Sequence, residues 1–181
     1  IPYALLANLT SKDFAYWFLY FSMTMMCGTF MYIFVHRVYK SVYVAFVSSI
    51  LYTFCLYRLL DLYYRGAWGE AFSFTFLPIV FLGLFYIIKG DYRKWYVIAI
   101  GFSLMIFTHV LSTLLLFITI SIILVVYYRD MIKEPKRIYY LILAGVVTIV
   151  LTSYYLFPFF EQLLSDTFYF QKFKYSPYTT A

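Results

Sequence analysis

Three charged residues set close together are the first feature of this sequence that could do chemistry. Arg58, Asp61 and Arg65 are spaced by three and then four, which puts them on one face of a helix. A single carboxylate placed there can bridge two guanidiniums, and a partly desolvated guanidinium makes a bidentate seat for a phosphate. The same residues also read as a snorkelling ladder that ends a membrane span. The chain continues Arg65-Gly66-Ala67-Trp68-Gly69-Glu70. Two glycines in four residues permit a tight turn, and Glu70 then falls in the first turn of the next helix, where the helix dipole favours an anion. Glu70 could steady Arg65, bind a divalent cation or accept a proton. Its plainer reading is a helix-start residue beside Trp68, an interfacial anchor.

Two further positions belong with these. His109 lies between two apolar runs, and an ionisable residue in such a place is a functional candidate. Its imidazole could donate to a phosphate or act as an acid or base; otherwise it is a polar turn residue between two short helices. Glu161 follows Pro158, which is expected to end or kink the last span. Glu161 is either a substrate contact or a solvated charge beyond the membrane. No P-loop, GxGxxG, HExxH, CxxC or GxSxG motif occurs. Two His and two Cys speak against a zinc cage. Cys27 and Cys55 sit at different depths and read as unpaired, small buried apolar residues.

The elements that must position these side chains are membrane helices. The 181 residues are 65% hydrophobic and only 12% charged, where soluble domains run at about half apolar and a quarter charged. The mean hydropathy of +0.83 points the same way. Disorder, a disulfide scaffold and collagen-like sequence all fail on these figures. The apolar runs are too long, and alternate too little, for barrel strands. The expected fold is an all-α, polytopic transmembrane helical bundle of about six spans, near 14–35, 42–60, 71–88, 95–108, 110–127 and 138–157. Pro78 is expected to kink the third.

The stretch 95–128 decides this count. As one helix its 34 residues would be about 51 Å long against a hydrocarbon core of about 30 Å, so a break near Thr108-His109 is expected. With that break, the loops 36–41, 89–94 and 129–137 share one side. They hold nine of the 14 cations and three carboxylates, which is the whole net charge of +6. The positive-inside rule makes that side cytoplasmic. Both ends of the segment then lie outside, together with Arg58, Arg65, Glu70 and His109. The cations are dispersed over loops, so they orient the chain and do not build a nucleic-acid patch. Residues 1–160 are read as the transmembrane domain and 161–181 as the extracytoplasmic start of a following region. The chain opens at Ile1 with no visible signal peptide and is expected to be a segment of a longer membrane protein.

Several motifs occur in a familiar order. They are Cys27-Gly28-Thr29-Phe30-Met31-Tyr32, the Asp61 to Glu70 motif leading to Leu77-Pro78, Thr108-His109-Val110-Leu111-Ser112, and Tyr154-Tyr155-Leu156-Phe157-Pro158-Phe159-Phe160-Glu161. Over nearly the whole chain this resembles the bacterial membrane family named for a "6-pyruvoyl-tetrahydropterin synthase-related domain". That name is not an activity, because a pterin synthase is a soluble zinc enzyme and this chain has neither its ligands nor its fold class. The family is similar to the GT-C superfamily of polytopic glycosyltransferases, of the YfhO type. The resemblance implies a polyprenyl-phosphate-linked sugar donor, an active site at the extracytoplasmic face of the bacterial plasma membrane, a divalent metal (Mg or Mn), and a place in cell-envelope glycan synthesis. It also implies a catalytic carboxylate in a first outer loop, upstream of Ile1, with this segment holding the donor-binding half.

On that reading Arg65, Arg58, Asp61 and Glu161 are the substrate-binding candidates. Glu70 and His109 are the catalytic candidates within the segment, and Glu70 is the one candidate metal ligand. Two other readings compete. One is a non-catalytic membrane module, such as a lipid-carrier binder, flippase or assembly scaffold. The other is a proton-coupled transporter with His109 in its path. Membrane lipid is the expected partner under each, and the sequence specifies no oligomeric state. The topology is testable in a background with Cys27 and Cys55 replaced by Ser. Asp91→Cys and Glu134→Cys should react with an impermeant maleimide only from the cytoplasmic side, and Ala67→Cys only from outside. Labelling of Glu134→Cys from outside would restore a single span across 95–128.

Overall fold

Each apolar run of the chain becomes helix. The computed structural model describes residues 2–165. In order these form α1 (Pro2–Leu9), α2 (Lys12–Tyr39), α3 (Val42–Thr53), α4 (Leu56–Leu60), a π-helical turn (Asp61–Arg65), α5 (Trp68–Ile88), a 3-10 turn (Tyr92–Lys94), α6 (Tyr96–Thr108), α7 (Val110–Val126), α8 (Tyr128–Lys133) and α9 (Pro135–Leu164). No strand occurs among the described residues. Residues 166–181, with Lys172, Lys174 and most of the expected following region, lie outside them.

The chain is therefore an all-α bundle. Four segments are long and apolar enough to cross a membrane, by length and composition: Lys12–Tyr39, Val42–Arg65, Trp68–Ile88 and Pro135–Leu164. The expected break in the fourth apolar run is present. His109 is extended (φ −156°, ψ 110°), and it ends α6 and opens α7. The two pieces have 13 and 17 residues, shorter than the roughly 20 of an ordinary span. Side chains that free backbone groups would need sit at several starts. Ser11 Oγ accepts from Phe14 N at 3.2 Å, and Ser41 Oγ accepts from Val44 N at 3.4 Å.

Helix α5 is the axis of the bundle. It is apolar nearly all round, as a helix in a bundle interior or a membrane span must be. Eleven of its residues are buried, against three on each of α2, α3, α7 and α9. α2 runs parallel to it, with Phe30 against Phe76 and Phe34 against Phe81. α6 returns antiparallel. The two helices touch because Gly83 and Gly101 carry no side chain. A Cβ on Gly83 would lie 2.3 Å from the backbone N of Ile98, and one on Gly101 would lie 3.1 Å from the backbone N of Val80. Small residues replace the hydrophobic effect as the means of close packing where lipid surrounds the helices. α9 lies along α6, with Thr148 Oγ1 donating to Ala99 O at 3.3 Å and Phe107 against Tyr154.

The three basic loops share one end of this bundle. Arg137 donates to Ile87 O (2.6 Å) and Gly90 O (3.3 Å), so it caps the last carbonyls of α5. Lys89 lies over the Tyr127 ring, and Tyr92 stacks on Tyr140. The charge asymmetry read from the sequence is thus matched by the packing.

Two helical boundaries differ from expectation. The second span is not one helix, since it breaks between Thr53 and Leu56 and resumes with Cys55 extended at ψ 141°. Pro158 does not end the last helix either. α9 runs through it to Leu164 and includes Glu161, and an interior proline, which loses one hydrogen bond and crowds the preceding turn, can leave a helix continuous. α5 likewise runs unbroken through the buried Pro78. Both cysteines are free, as expected.

The α5–α6 crossing yields a direct test. Gly83→Leu should force the helices apart and lower the thermal unfolding midpoint, at a cost of about 1–3 kcal/mol from overpacking. Gly145→Ala on α9, where a Cβ meets nothing within 4 Å, should leave the midpoint unchanged or raise it. Differential scanning fluorimetry in detergent reads both.

Candidate functional site

The site begins with the break in the second span. Ending α3 at Thr53 frees the carbonyl of Thr53, and a helix end needs partners for such groups. Arg58 supplies one. Its guanidinium turns into the bundle and donates to Thr53 O (2.9 Å) and to Thr24 Oγ1 on α2 (3.1 Å). Arg58 is left only 1% exposed. Its Nε has no partner, and neither has Oδ2 of Asp61, which is fully buried.

The π-helical turn Asp61–Arg65 follows directly. Single π turns widen the backbone and recur at functional sites. Gly66 closes the turn in the left-handed region at φ 62°, and Ala67 N donates back to Asp61 O at 2.8 Å. This geometry folds Arg65 back on its own helix and delivers Glu70 beside it. Arg65 Nη1 lies 2.6 Å from Asp61 Oδ1, 3.3 Å from Glu70 Oε2 and 3.3 Å from the hydroxyl of Tyr57, to which it donates. The Tyr57 hydroxyl in turn donates to Glu70 Oε1. The sequence suggested that Asp61 bridges Arg58 and Arg65. In the structure it pairs with Arg65 alone, because the freed carbonyl of Thr53 draws Arg58 inward. Together Arg58, Asp61, Arg65 and Glu70 are neutral.

Beside this cluster an apolar cavity of about 300 Å³ opens between α5 and α7. Tyr57, Glu70, Ser73, Ser112 and Thr119 are its polar lining. Phe74, Leu77, Phe81, Leu115 and Leu116 line the remainder, with Met105 of α6. The 108–109 turn is held against the start of α5, since a Cβ on Gly69 would come within 2.8 Å of Thr108 O. His109 Nδ1 accepts from Ser112 N (3.3 Å) and pairs with Ser112 Oγ (2.7 Å), capping α7. That pattern assigns the ring hydrogen to Nε2, which leaves an N–H donor outside the cap. On the other face of α5 a second hollow is lined by Tyr3, Tyr16, Leu19, Trp68 and Phe72, and Trp68 packs on Tyr16 at 4.7 Å.

The structure therefore brings Arg65, Asp61 and Glu70 into direct contact and places His109, through Ser112, at the same cavity. Arg58 stands behind them as a buried support. Glu161 is exposed on α9 and lines neither the cluster nor the cavity. Three participants were not singled out from the sequence. Tyr57 was visible in principle, as 57, 61 and 65 repeat at the four-residue spacing of one helical face. Ser112, three residues after a capping His109, carries a weaker local signal of the same kind. Nothing local marks Thr24, which meets Arg58 only through the packing of α2 on α3.

The donor set does not suit a divalent cation. Both Glu70 oxygens are engaged, by Arg65 and by Tyr57, and Asp61 Oδ1 is held by Arg65. A guanidinium between the two carboxylates repels a metal ion and attracts an anion. Among the described residues no group of three His, Cys, Asp or Glu could hold a metal.

Fold and site together define a helical membrane protein of several candidate spans, with a neutral cluster of four charges beside an apolar cavity. The family model for the 6-pyruvoyl-tetrahydropterin synthase related domain, described as a membrane protein, matches residues 2–172, and the chain belongs to that family. No curated protein and no solved structure matches it.

Thr24→Val keeps the shape of the side chain and removes the acceptor for a buried guanidinium. It should destabilise the protein by about 1–3 kcal/mol, read as a lower unfolding midpoint. Thr29→Val, on the same helix but bonded only to the Met25 carbonyl of its own helix, should have little effect.

Proposed function

We propose that this segment binds a polyprenyl-phosphate-linked sugar at the extracytoplasmic face, as part of a GT-C-like membrane glycosyltransferase in cell-envelope glycan synthesis. One observation carries the reading: a half-exposed arginine, held by two carboxylates, stands beside a cavity whose lining is mainly apolar. That pairing fits a ligand with an anionic head and a hydrocarbon tail. The phosphate lies on Arg65, the first part of the tail lies between α5 and α7, and the sugar faces water. His109 Nε2–H supplies a second donor to the phosphate. As the glycosyl–oxygen bond breaks, negative charge grows on the leaving phosphate, and fixed donors aimed at it provide the main catalytic term.

A second reading has its own support. Both carboxylates of the cluster are tied to Arg65 or Tyr57, and the one unpartnered oxygen, Asp61 Oδ2, is fully buried, so neither is open to act as a base on an acceptor in this arrangement. That favours a non-catalytic lipid-carrier module, which binds the donor without turnover.

The experiment uses the chain in nanodiscs with a polyprenyl monophosphate and, separately, a polyprenyl-phosphate sugar. Arg65→Ala should weaken binding by at least about tenfold, the loss expected for a charge-assisted contact. Leu115→Trp, from an exposed position on the cavity wall, should fill the tail space and weaken binding as well. Sugar transfer to an acceptor by the full protein supports the transferase, and binding without transfer supports the module. Binding that survives both substitutions overturns the site.

A further inference from the structure

The four charges of the cluster already cancel, so an incoming phosphate meets a guanidinium that is occupied. Its two carboxylate partners are not equivalent. Asp61 is fully buried, lies on the same turn as Arg65 and sits at 2.6 Å. It is the permanent partner. Glu70 belongs to another helix, is 19% exposed, lies at the longer distance of 3.3 Å and lines the cavity directly. Arg65 itself is 50% exposed on the side that remains. Glu70 has a second anchorage, because the Tyr57 hydroxyl donates to its other oxygen. It also lies in the first turn of α5, where the dipole stabilises a carboxylate without Arg65. Glu70 can therefore leave Arg65 and still keep a hydrogen-bond donor and a favourable helix dipole for its charge.

We propose that Glu70 is a displaceable internal anion: it occupies the phosphate seat on Arg65 in the empty site and gives way when a phosphate monoester or diester binds. The inference rests on the phosphate-binding reading of Arg65 and adds to it. The exchange leaves Glu70 its charge, so the filled cluster carries the added negative charge of the phosphate, on the exposed side of Arg65. It also makes Glu70 a carboxylate held only by Tyr57 and the α5 terminus once the site is filled. This separates Glu70 from a metal ligand or a direct phosphate contact. In either of those roles its removal would weaken phosphate binding, whereas a competitor's removal strengthens it.

The test compares wild type, Glu70→Gln and Glu70→Asp in nanodiscs, with farnesyl monophosphate, inorganic phosphate and farnesol as probes. Glu70→Gln should bind farnesyl monophosphate about fivefold more tightly, the factor a partly exposed ion pair is worth. Glu70→Asp keeps the charge on a shorter side chain and should show a smaller gain. Farnesol affinity should not change, since it carries no phosphate. Inorganic phosphate should show the same gain as the lipid probe, with weaker absolute affinity if the natural ligand is a lipid and equal affinity if it is a free phosphate. Unchanged or weaker binding of farnesyl monophosphate in both variants overturns the proposal while leaving the Arg65 site standing. A gain that extends to farnesol also overturns it, because the effect then lies in the tail cavity. No binding of any phosphate probe by wild type or variant overturns the phosphate reading itself, and this inference with it.

Discussion

Arg65 joins carboxylates from two different helical segments, and the arrangement of the site follows from that bond. Asp61 comes from the π-helical turn and Glu70 from the first turn of α5, with Gly66 in the left-handed region between them. The guanidinium ties the end of the second span to the start of the third. Charges are costly near lipid unless neutralised, and this cluster is neutral as a whole. Its most buried member, Asp61, has the shortest of the two ion pairs.

Behind the cluster, Arg58 plays a supporting part that depends on a break in a helix. A continuous second span would have kept the carbonyl of Thr53 in its own ladder and left Arg58 on the helix surface. The interruption at 54–55 frees that carbonyl, and the guanidinium turns inward to it and to Thr24. The orphaned Nε of Arg58 and Oδ2 of Asp61 show that this interior is not fully satisfied by protein groups. Buried polar atoms of that kind are characteristically met by internal water. At the basic end Arg137 donates to Glu134 and to the Ile87 and Gly90 carbonyls at the end of α5, and there the buried Nδ1 of His36 is likewise without a protein partner.

Much of this was legible in the sequence because it depends on local or additive properties. The helical class follows from apolar runs of span length. The break at His109 follows from comparing 34 residues with the thickness of a bilayer, and the grouping of the basic loops at one end of the bundle follows from summing charge. Arg65, Asp61 and Glu70 stood out because helical spacing and a two-glycine turn place them together. The two differences of boundary have separate causes. Pro158 reads as an end or kink of the last span, and α9 passes through it. The interruption at Phe54-Cys55 carries no proline or glycine to announce it.

What the sequence determined by itself was therefore the helical class, the broad order of the apolar segments, the grouping of the basic loops at one end, and which charges are unusual. Those depend on hydropathy and counting, which need no knowledge of neighbours. The tertiary structure decided which partner each charge takes. Arg58 went to Thr24 and Thr53 rather than to Asp61, Tyr57 joined Glu70 and Arg65, and Glu161 stayed apart. It also decided that an apolar cavity opens beside the cluster. A side chain's partner depends on which helices cross at its depth, and crossing is set by where small residues such as Gly83 and Gly101 let backbones touch.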